Sequence, residues 1–354
     1  MSDPSSIPPT VPERPLLLVG NPTSHSGKAA RRIQIARDLL DRKGIPHLFH
    51  PTLPGGRTVN MVRDAIDEEG FRTLVYMGGD GTFYEVATGI VTSHCPGCVR
   101  MGMLPSGTAN DQGKSFGISS DEEALPQNID IILKGHTTPL DVGQVTAFDD
   151  SGAVLSTDYF FDSLGWGLSA AILAVRNKDK ETVERLPVIR DMYRDQAVYV
   201  RAAIQEFAMN WLTGDRFSAE IEVDGVTHFC DHLSDLIISN TLIYAGEWIV
   251  DPDASASDGM VEIAPFRGLR DWTSKIILRH RKVPVREEML NRIGISHAPH
   301  FKGAHARIQI LRPQVDRRLP AQRDGEEFVL ADHYTIDVLP RLLSLIVPKN
   351  FQWV

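Results

Sequence analysis

Leu16-Leu17-Leu18-Val19 is a continuous apolar run that ends at Gly20-Asn21-Pro22. Apolar residues without alternation predict a strand buried on both faces, and the Gly-Asn-Pro end predicts a loop. From Lys28 to Lys43 the apolar positions change to helical spacing, with Ile33, Ala36, Leu39 and Leu40 on one face. The same alternation continues: a strand at 46–50, a helix from Arg57 to Glu69, and a strand from Thr73 to Met77. A helix from Phe83 to Val91 and a strand from Arg100 to Leu104 complete it. Strands and helices in turn predict a doubly wound, mostly parallel α/β sheet, whose ligands bind beyond the carboxyl ends of the strands. The loops 21–28, 78–82 and 105–110 each follow a predicted strand, so they should share that edge.

Beyond Leu140-Asp141-Val142-Gly143 the rhythm changes. Tyr159–Phe161, Phe217–Val223, Leu236–Ile238, Met260–Ala264, 307–310 and 334–339 read as strands without regular helices between them. A helical stretch at about 180–213 and a basic, partly helical one at about 269–293 interrupt them. This predicts an antiparallel second domain. The expected division is a disordered leader at 1–14, a nucleotide-binding α/β domain at 15–143 and a β-rich lipid-substrate domain at 144–333. A final segment, 334–354, is expected to return to the first domain.

Composition narrows the partners. The 354 residues carry a formal net charge of −9, which argues against broad nucleic-acid binding, since phosphate neutralisation needs surplus Lys and Arg. No apolar run approaches the roughly 20 residues that span a bilayer. The polar, Pro-rich start lacks a basic n-region or apolar h-region, so a cytoplasmic protein with at most peripheral membrane contact is expected. Cys95 and Cys98 form a C-x-x-C spacing that allows redox or metal chemistry, but with no second pair the favoured reading is a Pro-Gly turn carrying two incidental thiols.

Three loops carry the candidate chemistry. Gly78-Gly79-Asp80-Gly81-Thr82 lies between a strand and a helix, where glycines admit a polyanion close to the backbone and helix amides favour phosphate. Asp80 would repel phosphate, so it would act through Mg²⁺ or by organising the loop. A glycine-rich turn by itself can equally serve geometry alone. Leu104-Pro105-Ser106-Gly107-Thr108-Ala109-Asn110-Asp111 and Asn21-Pro22-Thr23-Ser24-His25-Ser26-Gly27-Lys28 follow other strands. Neither is a Walker A loop, and no G-x-G-x-x-G follows the first strand, which disfavours a nicotinamide-dependent dehydrogenase.

The series NPTSHSGKA, GGDGTFYEVATGI, LPSGTANDQGKSFGI, LDVG, SDGMVEI and DGE resembles the diacylglycerol kinase catalytic domain family, which includes bacterial lipid kinases and sphingosine and ceramide kinases. GGDGT alone is shared with NAD kinases and phosphofructokinases; the full series is more selective. The resemblance implies a related α/β N-terminal domain, a C-terminal antiparallel β-sandwich, and a cleft for ATP between them. At matching positions Asn21, Ser26, Gly27, Thr52, Gly78, Gly79, Asp80, Gly81, Thr82 and Glu85 would bind the nucleotide. Ser106, Gly107, Thr108 and Asn110 would complete that set. Asp80, Asp324 and Glu326 would be catalytic, because a lipid hydroxyl needs a carboxylate to accept its proton.

Asp324 and Glu326 share a face if the segment is a strand, but Gly325 also permits a turn; for DGE alone, a hairpin with solvated acids is the favoured reading. The resemblance also implies a Mg²⁺ loop with Ser255, Asp258 and the Met260 carbonyl as ligands, whose alternative is an Asx-rich turn before a strand. The implied partners are ATP and a lipid at a membrane surface, with room for a homodimer. The basic stretch from Arg267 to Arg286, with Trp272, could dock on an anionic surface, though such runs are more often solvated helix faces. Three segments depart from the family pattern: Thr23-Ser24-His25, Gln112-Gly113-Lys114, and Tyr244-Ala245-Gly246-Glu247-Trp248, the last of which puts the acceptor in doubt. The expected acceptor is diacylglycerol; competing readings are a sphingosine or ceramide kinase, a kinase of a soluble acceptor such as NAD, a non-catalytic nucleotide- or lipid-binding protein, and a redox or metal sensor built on Cys95 and Cys98.

Overall fold

The computed structural model describes residues 15–23, 28–107, 109–174, 216–244, 248–251, 254–268, 271, 300–311 and 318–352. The leader 1–14, the helical stretch at 180–213, residues 269–270 and 272–293 of the basic stretch, and Ser26, Gly27 and Thr108 lie outside them. So do the contacts expected of each.

The first half alternates as its hydrophobic pattern predicts. Its elements are β1 (Leu16–Gly20), α1 (Lys28–Arg42), β2 (His47–Pro51), α2 (Arg57–Asp67), β3 (Thr73–Gly78), α3 (Asp80–Val91) and β4 (Arg100–Pro105). Two further helices, α4 (Asp111–Ser115) and α5 (Leu125–Lys134), follow. The strands are parallel in the order β2-β1-β3-β4. Leu17, Leu18 and Val19 are wholly buried, as expected for a strand with helices on both sides. The chain leaves β1 toward β2 and leaves β3 toward β4, in opposite directions, so the topological switch point lies between β1 and β3 at the carboxyl edge.

The second half comprises β5 (Thr137–Phe148), β6 (Val154–Phe160), β7 (Ser163–Gly167), β8 (Phe217–Val223), β9 (Val226–Leu233) and β10 (Asp235–Ser239). After the two-residue strands β11 (Ile243–Tyr244) and β12 (Trp248–Ile249) come β13 (Val261–Phe266), β14 (Phe301–Gly303) and β15 (His305–Leu311). Last are β16 (Ala321–Arg323), β17 (Glu326–Glu327) and β18 (His333–Ile346). One sheet, β14-β13-β10-β7-β16-β17, packs on the antiparallel part of a larger one. Val145, Phe160 and Ile308 from one side and Leu164, Trp166, Leu236 and Ile263 from the other share a single core, which makes this half a sandwich.

The 14 residues of β18 join the two halves. Its end pairs in parallel with β4, while most of its length pairs antiparallel with β5. A bulge between Leu339 and Leu343, with Arg341 at φ 54°, bends the strand where it passes from one half to the other.

A buried carboxyl group marks the sandwich. Asp235, with no exposed surface, accepts hydrogen bonds from the Ser169 N–H and hydroxyl, each at 3.1 Å. Burial pushes its pKa up from 3.8 to about 8, against the pull of Ser169. A raised carboxylate pKa means that the folded chain keeps a proton the unfolded chain has released. The contribution to stability is therefore complete below 3.8 and is lost as pH rises through about 8. Asp235→Asn should flatten the fall in unfolding free energy across that window in denaturant titrations; equal slopes in both proteins would contradict the assignment.

Candidate active site

The loops after β1, β2, β3 and β4 meet at the carboxyl edge. Asn21 Oδ1 accepts the Thr23 N–H at 3.0 Å and its hydroxyl at 2.8 Å, closing an Asx turn. The Thr52 N–H donates to the Gly20 carbonyl at 2.9 Å, and Ser106 N–H to the Gly78 carbonyl at 2.7 Å. Glu85, on the second turn of α3, is raised in pKa by burial, a shift opposed by the Thr58 hydroxyl. Thr58 in turn holds Leu53 through both backbone groups, at 2.9 and 3.2 Å.

Glycine at two of these positions is a packing requirement. A Cβ on Gly107 would lie 2.4 Å from the Gly79 Cα, and one on Gly78 would lie 2.3 Å from Thr82 Oγ1. The β3 and β4 loops thus touch backbone to backbone. Asn110 locks that contact from the left-handed region, at φ 55°. Its Oδ1 accepts the Gly107 N–H at 2.7 Å, its Nδ2 donates to the Gly107 carbonyl at 2.8 Å, and its own N–H donates to Asp80 Oδ2 at 2.8 Å. Asp80 and Asn110 therefore shape the loop from below, leaving Gly79, Gly81, Thr82 and Ser106 to line it.

The second wall is the β16–β17 hairpin. Asp324 and Gly325, at φ 47° and 77°, form its two-residue turn, the conformation that Asp-Gly favours. The segment is a turn, so the two acids diverge. Glu326 is exposed. The Asp324 carboxylate is not solvated as a bare hairpin reading expects: Oδ1 accepts the Asp162 and Ser163 N–H groups at 2.8 and 2.9 Å, and Oδ2 the Phe161 N–H at 2.9 Å. Burial pushes its pKa up to about 6, against those three amides and Arg323. Three of roughly four lone-pair positions are taken, which leaves one on Oδ2.

Residues outside the motifs join the walls. Asp162, buried between β6 and β7, accepts the Thr241 hydroxyl, and its pKa is driven well up by burial and then by Asp111, Asp324 and Asp80. Asn240, also fully buried, donates to the Asp141 and Phe161 carbonyls at 2.9 Å each. Tyr84 of α3 donates to Asp158 of β6 at 2.6 Å; Asp158 pairs with Arg323, whose guanidinium lies 4.2 Å above the Tyr84 ring. Phe161 packs edge-on against Phe83 and Tyr84. The helix that starts at Asp80 and the strand that precedes Asp324 are thereby fastened together. The one sequence signal was Asp162 itself, an acid inside the otherwise apolar run Phe160-Phe161-Asp162-Ser163-Leu164.

Two expectations change. The set Ser255, Asp258 and Met260 does not stand open to Mg²⁺, because Asp258 Oδ2 pairs with Lys302 Nζ at 2.7 Å and Oδ1 accepts the Met260 N–H at 3.1 Å. Cys95 and Cys98 are not separate thiols: a disulfide joins them across the turn between α3 and β4, and proximity in sequence makes that closure easy.

The family described as diacylglycerol kinase catalytic domain matches residues 15–145, the stretch that contributes all four loops. A diacylglycerol kinase of Staphylococcus epidermidis is 32% identical over 128 residues, and one of Staphylococcus aureus strain MRSA252 is 30% identical over the same length. These alignments take in 36% of this chain and 39% of each relative, so the chain matches about two fifths of their length. The crystal structure of a diacylglycerol kinase from Bacillus anthracis superposes with a TM-score of 0.66 at 16% identity, covering 95% of this chain and 97% of that one. Yeast NADH kinase in complex with NADH superposes with a TM-score of 0.50 at 10% identity. At such identities the fold is what is shared. The matched residues carry the loops, and the hairpin at Asp324 lies outside them.

Proposed function

We propose that the chain is an ATP-dependent lipid kinase that transfers the γ-phosphoryl group to a lipid hydroxyl, with diacylglycerol as acceptor. One observation carries this reading: Tyr84, on the helix that follows the phosphate loop, donates to Asp158 at 2.6 Å, and Asp158 pairs with Arg323, the residue before Asp324. The phosphate loop and the hairpin are therefore held side by side. Phosphoryl transfer asks for positioning and charge neutralisation more than for covalent chemistry. Loop amides between Gly79 and Thr82, at the N-terminus of α3, would hold the phosphates. Mg²⁺ enters as part of the Mg·ATP substrate, and Asp80, one oxygen of which is taken by the Asn110 N–H, is the loop acid that would meet it.

Asp324 is the better base of the two acids. Its orientation is set by three amides, one Oδ2 lone pair is left, and a pKa near 6 is close to the operating pH. Exposed Glu326, two residues on, would hold the acceptor or the cation rather than take the proton.

The test is transfer of radiolabel from γ-labelled ATP, with the whole chain and vesicles of diacylglycerol, ceramide, sphingosine or phosphatidylglycerol, and with NAD in parallel. Label in diacylglycerol is expected. Label in NAD alone would replace the lipid reading, and label in ceramide or sphingosine alone would move the acceptor.

A further inference from the structure

The acidic loop before β13 is met by a cation from β14. β13 and β14 pair antiparallel with Glu262 directly opposite Lys302. Lys302 Nζ lies 2.7 Å from Glu262 Oε1 and 2.7 Å from Asp258 Oδ2, so a single ammonium bridges the two carboxylates. Glu262 is 1% exposed, and burial pushes its pKa up to about 7 despite the hydrogen bond from Lys302. Burial works against the lysine charge as well, but the two carboxylates outweigh it and hold its pKa above the ordinary value. Beside this group, His300 Nδ1 meets Asp251 Oδ2 at 2.7 Å.

The rest of the loop is held by protein groups. Asp141 Oδ2 accepts the Gly259 N–H and its Oδ1 the Arg341 N–H, each at 2.6 Å. The Asp141 N–H donates to the Ala256 carbonyl at 2.7 Å, and Arg341 Nε donates to the Ser257 carbonyl at 3.3 Å.

We propose that Lys302 stands in for a structural divalent cation, so that the loop 254–262 keeps its fold without metal. The argument is one of charge and space. A buried carboxylate needs a positive partner, and an ammonium 2.7 Å from both acids supplies it from the position a divalent ion would occupy. Lysine and metal exclude each other there: the ion cannot enter without displacing the ammonium from both oxygens. The choice of cation is then made by the side chain on β14. With a neutral side chain at 302, the same oxygens form a hard-donor set suited to Mg²⁺ or Ca²⁺.

Transfer of phosphate would itself use Mg·ATP, so the readout is the thermal stability of the nucleotide-free protein. The wild-type melting temperature should be the same in EDTA, in millimolar MgCl₂ and in millimolar CaCl₂. Lys302→Met keeps the aliphatic stem and removes the charge. In EDTA it should melt about 5–10 °C lower, since it leaves a buried acid unpaired, and either ion should recover a substantial part of that loss. Lys302→Arg should remain indifferent to both ions. A wild-type protein that is destabilised by EDTA and restored by Mg²⁺ would overturn the proposal, and that measurement needs no variant. Equal melting of Lys302→Met and wild type in EDTA would overturn it too.

Discussion

Asp324→Asn is expected to lower turnover by about 10²–10⁴-fold, the usual worth of a positioned general base, and to destabilise the fold by about 1–3 kcal/mol. The second effect follows from counting donors. Oδ1 receives two N–H groups and Oδ2 receives one. An asparagine has a single oxygen, so in either orientation its NH₂ faces at least one backbone N–H. The segment that would loosen is Phe161-Asp162-Ser163, which carries the buried Asp162. Glu326→Gln is the comparison, because Glu326 is exposed and its replacement should change stability by less than about 0.5 kcal/mol. Turnover and chemical denaturation measured on both variants separate the roles. Undiminished turnover in Asp324→Asn would remove it as the base, and undiminished stability would remove it as the clamp.

Gly107→Ala should lower kcat/KM for ATP by about 100-fold, the scale expected when reacting groups are displaced by roughly 1 Å. The added Cβ would lie 2.4 Å from the Gly79 Cα and 3.0 Å from Asn110 Oδ1. Neither neighbour can yield cheaply: one is backbone, and the other already holds the Gly107 N–H at 2.7 Å. Either the β3 loop or the β4 loop must move, and both would hold phosphate. The control is Gly97→Ala, in the turn after α3, where a Cβ meets nothing within 4 Å. Steady-state kinetics with varied ATP on the two variants make the comparison; if Gly107→Ala bound and used ATP normally, the backbone contact would have no part in the site.

The Tyr84–Asp158–Arg323 junction links these two effects. It ties α3, whose first turn contains the phosphate loop, to the strand that leads into Asp324. The two walls are thus positioned by one set of side chains, and strain at either is felt by the other. Asp158 and Tyr84 are half-buried and Arg323 is covered by the Tyr84 and Phe328 rings, which makes this pair less screened than a surface one.

The sequence by itself determined the alternation of the first half. Apolar runs such as Leu16–Val19 and helical spacing from Ile33 to Leu40 are local signals, and a buried parallel strand permits little else. It also marked the edge on which the loops lie, because each motif directly follows a predicted strand. Tertiary structure decided what each motif residue does. Asn110 and Asp80 spend their polar atoms shaping the loop, a role set by a backbone contact between Gly79 and Gly107, 28 residues apart in sequence. Asp324 turned inward because amides at the junction of β6 and β7, some 160 positions earlier, were there to receive it. Asp258 met Lys302 because strand pairing set Glu262 opposite that lysine. A carboxylate's role depends on which donors and charges surround it, and in this protein those come from segments too far apart in the chain for any local pattern to record.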